Sequence, residues 1–160
     1  MSPSSRSISR SGPLCLAAGL LLALWLAPPP ARASLGDPEA TAGSDAAQLH
    51  GSMKSTERTN YRVHEIQLPS GTALREFSTP GGTVFAVAWR GPAIPNLQQA
   101  LGRYFDTFTA AASAPHGGHH QLQIQQENFV MQSSGHMRAF SGRAYLPQAL
   151  PAGISLEDLH

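Results

Sequence analysis

Three of the seven histidines in this 160-residue chain lie in the stretch SAPHGGHH, from Ser113 to His120. Imidazole is the commonest metal ligand in proteins, so His116, His119 and His120 are weak candidates for a divalent-cation site. A structural zinc site takes four ligands, and a catalytic one takes three plus water. No aspartate, glutamate or cysteine lies beside these histidines. The stretch is therefore interpreted first as surface histidines, and a metal-binding protein remains an alternative function.

The known catalytic motifs are incomplete elsewhere in the chain. HEIQL at positions 64–68 begins like a zincin motif, but a leucine stands where the second histidine is needed. Neither SSGH nor FSGR forms the G-x-S-x-G nucleophile motif, and no G-x-x-x-x-G-K phosphate loop occurs. No catalytic residue and no cofactor is predicted. Enzymatic activity is less expected than binding, with a small hydrolase of unrecognised site as a further alternative.

Arginines near strands and a proline-rich connection are the candidates for a binding surface. These candidates are Arg90, Pro92, Pro95, Arg138 and Arg143. On a sheet, the arginines can bind an anion or pair across strands with glutamates. Arg138 is predicted on the otherwise apolar face of Phe140 and Leu146, so a buried partner is expected for it. The prolines belong to RGPAIP, between a strand and a helix, and such loops often carry function.

The first 33 residues have the pattern of a secretory signal peptide. Residues 1–12 carry two arginines and no acid, an apolar run follows from Leu14 to Ala27, and ARA ends at Ala33. A membrane-spanning helix needs about 20 apolar residues, more than this run provides. We expect cleavage between Ala33 and Ser34, and a periplasmic or secreted protein with no membrane span after cleavage.

Loss of the leader would change both the charge and the thiol content. The chain has 11 basic and 10 acidic residues, and loss of Arg6, Arg10 and Arg32 leaves eight basic against ten acidic, a net charge of −2. The single cysteine, Cys15, would also leave, which excludes a disulfide or a thiolate nucleophile. No basic stripe typical of nucleic-acid binders occurs. The expected partner is an envelope protein or a cell-surface component.

The elements that would position these residues follow from periodicity. YRVHEIQL, TALREFS and TVFAVAW have strand composition and are separated by the turns PSG and TPGG. A helix is predicted from its cap at Asn96, with an apolar stripe from Leu97 to Phe108, ending before Pro115. Gly102 within it predicts a close approach to the sheet. QLQIQQENFVMQ is predicted as one strand with a bulge near residues 127–128, and MRAFSGRAYLP as another after an SSGH turn.

The predicted fold is an α+β domain with the order β-β-β-α-β-β, an antiparallel sheet of about five strands against one main helix. The predicted segments are a signal peptide at 1–33, a loosely structured lead-in at 34–58, the α+β domain at 59–151 and a C-terminal tail at 152–160. A chain of this length can bury a core without disulfides.

Four phrases of the sequence are similar to those of a known family. YRVHEI, GTALREF, GGTVFAVAWRGPAIPNLQQALGRYF and GHMRAFSGRAYLP together resemble domain of unknown function family 2844, a set of exported proteobacterial proteins. The resemblance covers residues 61–151 and does not include the histidine stretch. It implies an exported α+β protein and no assigned activity. The leading hypothesis is therefore a non-enzymatic exported domain that binds or assists another envelope component.

Overall fold

Short strands with β-branched and aromatic residues build one antiparallel sheet of seven strands. The computed structural model describes residues 34–39, 50–114 and 121–159. The strands are β1 Ser52–Glu57, β2 Arg62–Gln67, β3 Ala73–Ser78, β4 Val84–Gly91, β5 Gln121–Gln125, β6 Val130–His136 and β7 Ala139–Tyr145. Their order across the sheet is β1-β2-β3-β4-β7-β6-β5. The predicted antiparallel α+β fold is thus confirmed, and β4 lies at its centre.

The sheet has two strands more than predicted, and each difference has a local cause. β1 lies within the predicted lead-in and is largely exposed, so no alternation of apolar residues marks it. The second extra strand arises because QLQIQQENFVMQ forms β5 and β6, not one bulged strand. The Gln126 N–H donates to the Phe129 carbonyl at 2.9 Å and closes a turn between them. The apolar residues change from one alternation to the other at this point because the chain turns into a hairpin, and not because of a bulge.

The turn before β7 also differs from the prediction. SSGH belongs to β6, and the chain reverses at Met137 and Arg138, where His136 pairs with Ala139. Arg138 has a φ of 66° and is exposed, so it is not on the apolar face of β7 and has no need of a buried partner. The prediction extends the alternation of β7 to Met137 and Arg138, two residues before the strand begins.

The helical part lies between β4 and β5 and begins at the predicted cap. The Asn96 Oδ1 accepts the Gln99 N–H at 3.2 Å, which satisfies one free donor of the first turn. α1 covers Leu97–Leu101, a 3-10 turn covers Gly102–Tyr104, and α2 covers Phe105–Ser113. Gly102 has a φ of 51°, and a β-carbon there would collide with Ser34. The close approach at Gly102 is therefore to the N-terminal segment, whereas the sequence had predicted the sheet.

The helices cover one side of the sheet, which we call the helix-bearing face. Tyr104 stacks on Phe129 with ring centroids 5.0 Å apart. Val87 and Trp89 of β4 and Leu101 of α1 belong to the same buried cluster. Apolar burial of this kind stabilises by about 25 cal/mol per Å², so this cluster holds the helices to the sheet.

Residues 146–159 cover the centre of the opposite side, which we call the C-terminal face. Leu150 and Ile154 pack against Phe77 and Phe85, and Leu159 is fully buried there. Residues of the predicted tail, Ile154 and Leu159, contribute to a second apolar cluster. Sequence periodicity could not show this, since the segment packs through separate residues between short 3-10 turns.

Within the described ranges, no helix has both the length and the apolar character needed to cross a membrane.

Candidate functional site

The larger of two grooves on the C-terminal face has a volume of about 550 Å³. It lies over β4, β7, β6 and β5 and is bounded on one side by Leu159. Its polar lining is Arg90, Gln121, Gln123, Gln132, Ser133, Ser134, Ser141 and Arg143. We call it the amide groove. Its volume falls within the range of roughly 300–1,000 Å³ that is usual for ligand pockets.

The side chains of the amide groove reach one face because the strands alternate. Gln123 pairs with Gln132, and Gln132 pairs with Arg143. Trp89 and Leu122 also border the groove, but they belong to the cluster on the helix-bearing face. The groove floor is therefore formed by amides, hydroxyls and guanidinium groups. No histidine, cysteine or carboxylate is among its lining residues.

Arg143 is held in place by neutral acceptors. Its Nε and Nη2 donate to Gln132 Oε1 at 3.0 and 2.8 Å, and its Nη1 donates to the Leu156 carbonyl. A guanidinium has five N–H groups, so these three bonds leave two available. Arg143 forms no ion pair with a carboxylate among the residues described. The groove thus contains a fixed cation whose charge no carboxylate of the described residues neutralises.

The smaller groove has a volume of about 260 Å³ and lies over β1, β2 and β3 on the same face. Its charged lining is Lys54, Arg58, Glu65, Arg75 and Asp158. We call it the ionic groove. Arg75 Nε donates to Glu65 Oε2 at 2.7 Å, so acids and bases here pair with each other.

A buried polar network lies on the helix-bearing face, where residues 34–39 meet β1 to β3. Ser55 Oγ is 2.7 Å from His64 Nδ1, and His64 Nε2 is 3.0 Å from Glu39 Oε1. Glu39 also accepts from Ser78 Oγ at 2.9 Å and from Arg62. We call these five residues the Glu39 network. It fastens the N-terminal segment to the sheet.

The proton positions in the Glu39 network follow from the charge of Glu39. Its partial burial raises the pKa, but the hydrogen bonds from Arg62, Ser78 and His64 outweigh burial and lower the pKa below its usual value. Glu39 is therefore an ionised acceptor at neutral pH. His64 Nε2 therefore donates to Glu39, and His64 Nδ1 shares a hydrogen bond with the Ser55 hydroxyl.

The order serine, histidine, carboxylate is that of a hydrolase triad, but the surroundings favour a structural role. His64 is only 5% exposed, and Glu39 is shared with Arg62 and Ser78. Neither groove includes Ser55, because Ser55 and His64 lie on the opposite side of the sheet. Buried polar groups are normally satisfied in this way without catalysis.

The structure brings together two of the five residues singled out for a binding surface. Arg90 and Arg143 both line the amide groove. Arg138 lies in the β6–β7 turn and is not among the residues that line the groove. Pro92 and Pro95 form the connection to α1, where Thr72 Oγ1 holds the Ala93 carbonyl at 2.7 Å. Those two prolines line neither groove, and their predicted role in binding stays a prediction.

The histidine candidates cannot be compared with the structure in the same way. His116, His119 and His120 lie outside the described residues. Within the described ranges, no group of three histidine, cysteine, aspartate or glutamate residues could hold a metal ion. The metal site at the histidine stretch remains a prediction.

Sequence reasoning did not single out the glutamines and serines of the amide groove. Gln121 and Gln123 alternate with Leu122 and Ile124, a signal interpreted only as a half-buried strand. The same alternation places the glutamines together on the groove floor. What was missing was the pairing of β5 with β6, which brings Gln132 beside them.

The comparisons with known proteins support the resemblance found in the sequence. No curated protein and no solved structure matches the chain. The family model described as a protein of unknown function (DUF2844) matches residues 31–159. This match contains both grooves and the Glu39 network. The chain therefore belongs to the DUF2844 family.

Proposed function

We propose that the protein is an exported, periplasmic or secreted, non-enzymatic domain that binds a component of the cell envelope in the amide groove. The observation that carries this proposal is the composition of the groove. Amides, hydroxyls and guanidinium groups line a volume suited to a ligand. Such groups bind polar ligands by hydrogen bonds and specify their orientation.

The same composition favours binding over catalysis in that groove. General acid–base catalysis uses a histidine, carboxylate, lysine, tyrosine or cysteine near the reacting atoms. None of these is among the residues that line the amide groove. Its serines have no histidine beside them to take a proton. The leader pattern supports export independently of the groove.

Export is tested by expressing the complete 160-residue chain and measuring the mass of the protein in the periplasmic and extracellular fractions. We expect a chain that begins at Ser34. An intact chain that begins at Met1 and stays with the cytoplasm would contradict the proposal.

Binding is tested by filling each groove in turn. Ser134→Trp places a bulky side chain on the floor of the amide groove, and Thr56→Trp does the same in the ionic groove. Soluble oligosaccharides released from the envelope are titrated into each variant by calorimetry. We expect Ser134→Trp to lose binding and Thr56→Trp to retain it. Equal binding by the wild-type protein, Ser134→Trp and Thr56→Trp would contradict the assignment of the amide groove as the binding site.

A second candidate function, a small hydrolase, is favoured by the Glu39 network alone. His64 Nδ1 is positioned to take the Ser55 proton while Ser55 Oγ attacks an electrophile, and Glu39 would stabilise the imidazolium. Ser55 is exposed on β1, so a reagent can reach it. A fluorophosphonate is the direct probe, because attack by an activated serine forms an O–P bond and expels fluoride.

The test of this second candidate is the mass of the protein after incubation with the fluorophosphonate. Labelling of Ser55 that is lost in His64→Gln would support a hydrolase. Absence of labelling in a folded protein would contradict the hydrolase, and binding would remain as the proposed function. Ser134, which has no histidine partner, is the internal control for unspecific labelling.

A further inference from the structure

We infer that the ligand of the amide groove is an acidic saccharide, whose charged group is held between Arg90 and Arg143. This inference rests on the proposed binding function and names its ligand class. It is carried by the charge of the groove, by the spacing of its arginines and by the hydrogen-bonding groups around them.

The two arginines are neighbours on the groove floor. Arg90 pairs with Ser141 across β4 and β7, and Ala88 pairs with Arg143. Arg90 and Arg143 are thus diagonal neighbours on one face, with β-carbons roughly 7–8 Å apart or less. Long guanidinium side chains at this distance can contact the same carboxylate or phosphate group.

Two like charges this close repel each other unless an anion lies between them. The described residues form ion pairs of Arg62, Arg75 and Arg103 with carboxylates, but none of Arg90 or Arg143. Arg143 is fixed by Gln132 and by the Leu156 carbonyl, so its remaining N–H groups are ordered before any ligand binds. Preorganised guanidinium groups bind carboxylate and phosphate bidentately.

The rest of the groove combines hydrogen-bonding groups with apolar surface. Gln121, Gln123 and Gln132 offer amides, each with two donors and one acceptor atom, and Ser134 and Ser141 offer hydroxyls. Apolar atoms, including those of Leu159, line the groove beside them. A saccharide presents hydroxyl groups and apolar C–H faces together, which suits such a surface.

Binding in the amide groove is measured by calorimetry, because the Trp89 side chain lies on the helix-bearing face and does not report directly on the groove floor. The probes are a uronic-acid trisaccharide, its uncharged methyl ester and a hexose 6-phosphate. The ester keeps the hydroxyls and removes the charge. The hexose phosphate shows whether the groove prefers a phosphate or a carboxylate.

We expect the acid trisaccharide or the hexose phosphate to bind at least tenfold more tightly than the ester, with affinity that falls as salt rises. Arg90→Gln should reduce this preference to less than threefold, and its fold is expected to persist because the Arg90 side chain forms no ion pair with the residues that the structure describes. Arg143→Gln should do the same, with its melting temperature measured in parallel. The matched control is Arg58→Gln, which removes a cation from the ionic groove and should change nothing.

The outcomes separate the ligand class from the binding function. Equal affinity for acid and ester in the wild-type protein would overturn the acidic ligand and leave saccharide binding in place. An acid preference that survives in both Arg90→Gln and Arg143→Gln would overturn the role of the arginines. Failure of all three probes to bind would overturn the ligand class and count against the proposed function as well.

Discussion

The amide groove and the ionic groove lie on one face of the same sheet, yet they differ in whether a lining arginine is paired with a carboxylate. One row of paired positions runs through both, in the order Lys54, Glu65, Arg75, Ala88, Arg143, Gln132 and Gln123. On the ionic side the charges alternate, and Arg75 forms an ion pair with Glu65. On the amide side a cation is followed by two neutral amides. The small Ala88 lies between the two halves, in the cluster that contains Leu159.

This difference shows how one sheet face can hold a region whose charged groups pair within the protein beside a region that is free to bind a ligand. In the ionic groove, Arg75 and Glu65 form an ion pair with each other. In the amide groove, Arg143 is oriented by acceptors that do not neutralise it. An incoming anion therefore competes with an internal carboxylate only in the ionic groove.

The largest effect is expected from removing the buried leucine that borders the amide groove. Leu159 is fully buried in the cluster of the C-terminal face, so Leu159→Ala should lower the free energy of unfolding by about 2–5 kcal/mol. Urea denaturation measures the change. Leu156→Ala is the control, because Leu156 lies in the same segment but is 38% exposed. Equal losses in the two variants would contradict the packing of this segment.

The next effect concerns the opposite face and tests whether stability and binding respond separately to pH. The lowered pKa of Glu39 means that its contribution to stability is present above the unfolded value, near 4.5, and is lost as pH falls through the lower folded pKa. Glu39→Gln should cost about 1–2 kcal/mol at pH 7. The difference from wild type should shrink below pH 4.5 in thermal melts. A difference that grows in acid would contradict the ionised state of Glu39.

A carboxylate placed in the amide groove should make it resemble the ionic groove. Gln132→Glu gives Arg143 an internal counter-ion in place of a neutral amide. The affinity for the acidic probe should fall about tenfold, which corresponds to about 1.4 kcal/mol. Gln67→Glu is the matched control, since the same charge is added on β2 outside both grooves. A similar loss in both variants would indicate a long-range charge effect instead.

The smallest effect is expected from the reverse change in the ionic groove. Glu65→Gln removes the carboxylate that forms an ion pair with Arg75 and leaves Asp158 as the one acidic residue against three basic residues in that groove. Because the pair is partly exposed, stability should change by less than about 1 kcal/mol. Weak binding of the acidic probe should appear in a calorimetric titration of the Ser134→Trp background. No new binding would show that the volume of 260 Å³ is limiting and not the charge.

Much of the fold could be predicted because local chemistry determines it. The Asn96 cap, the turns PSG and TPGG, and the continuous apolar β4 all follow from neighbouring residues. β1 could not be predicted, because an exposed edge strand has no apolar face to reveal its period. The hairpin of β5 and β6 was missed because a four-residue turn and a bulge change the apolar parity in the same way.

The candidate site was predicted only in part, for a related reason. Arg90 and Arg143 were recognised as strand arginines, but their proximity depends on the pairing of β4 with β7. Arg138 was misplaced because strand alternation was continued into a turn. The Glu39 network joins Glu39 to His64 over 25 positions, a distance at which periodicity carries no information.

The most direct test is a nuclear magnetic resonance titration of the purified protein with the uronic-acid trisaccharide. We expect the largest shifts at the backbone amides of β5, β6 and β7 and at the Nε–H groups of Arg90 and Arg143. The amides of β1 to β3 around the ionic groove should shift little. Shifts centred on the ionic groove, or spread evenly over the sheet, would contradict the assignment of the amide groove as the binding site.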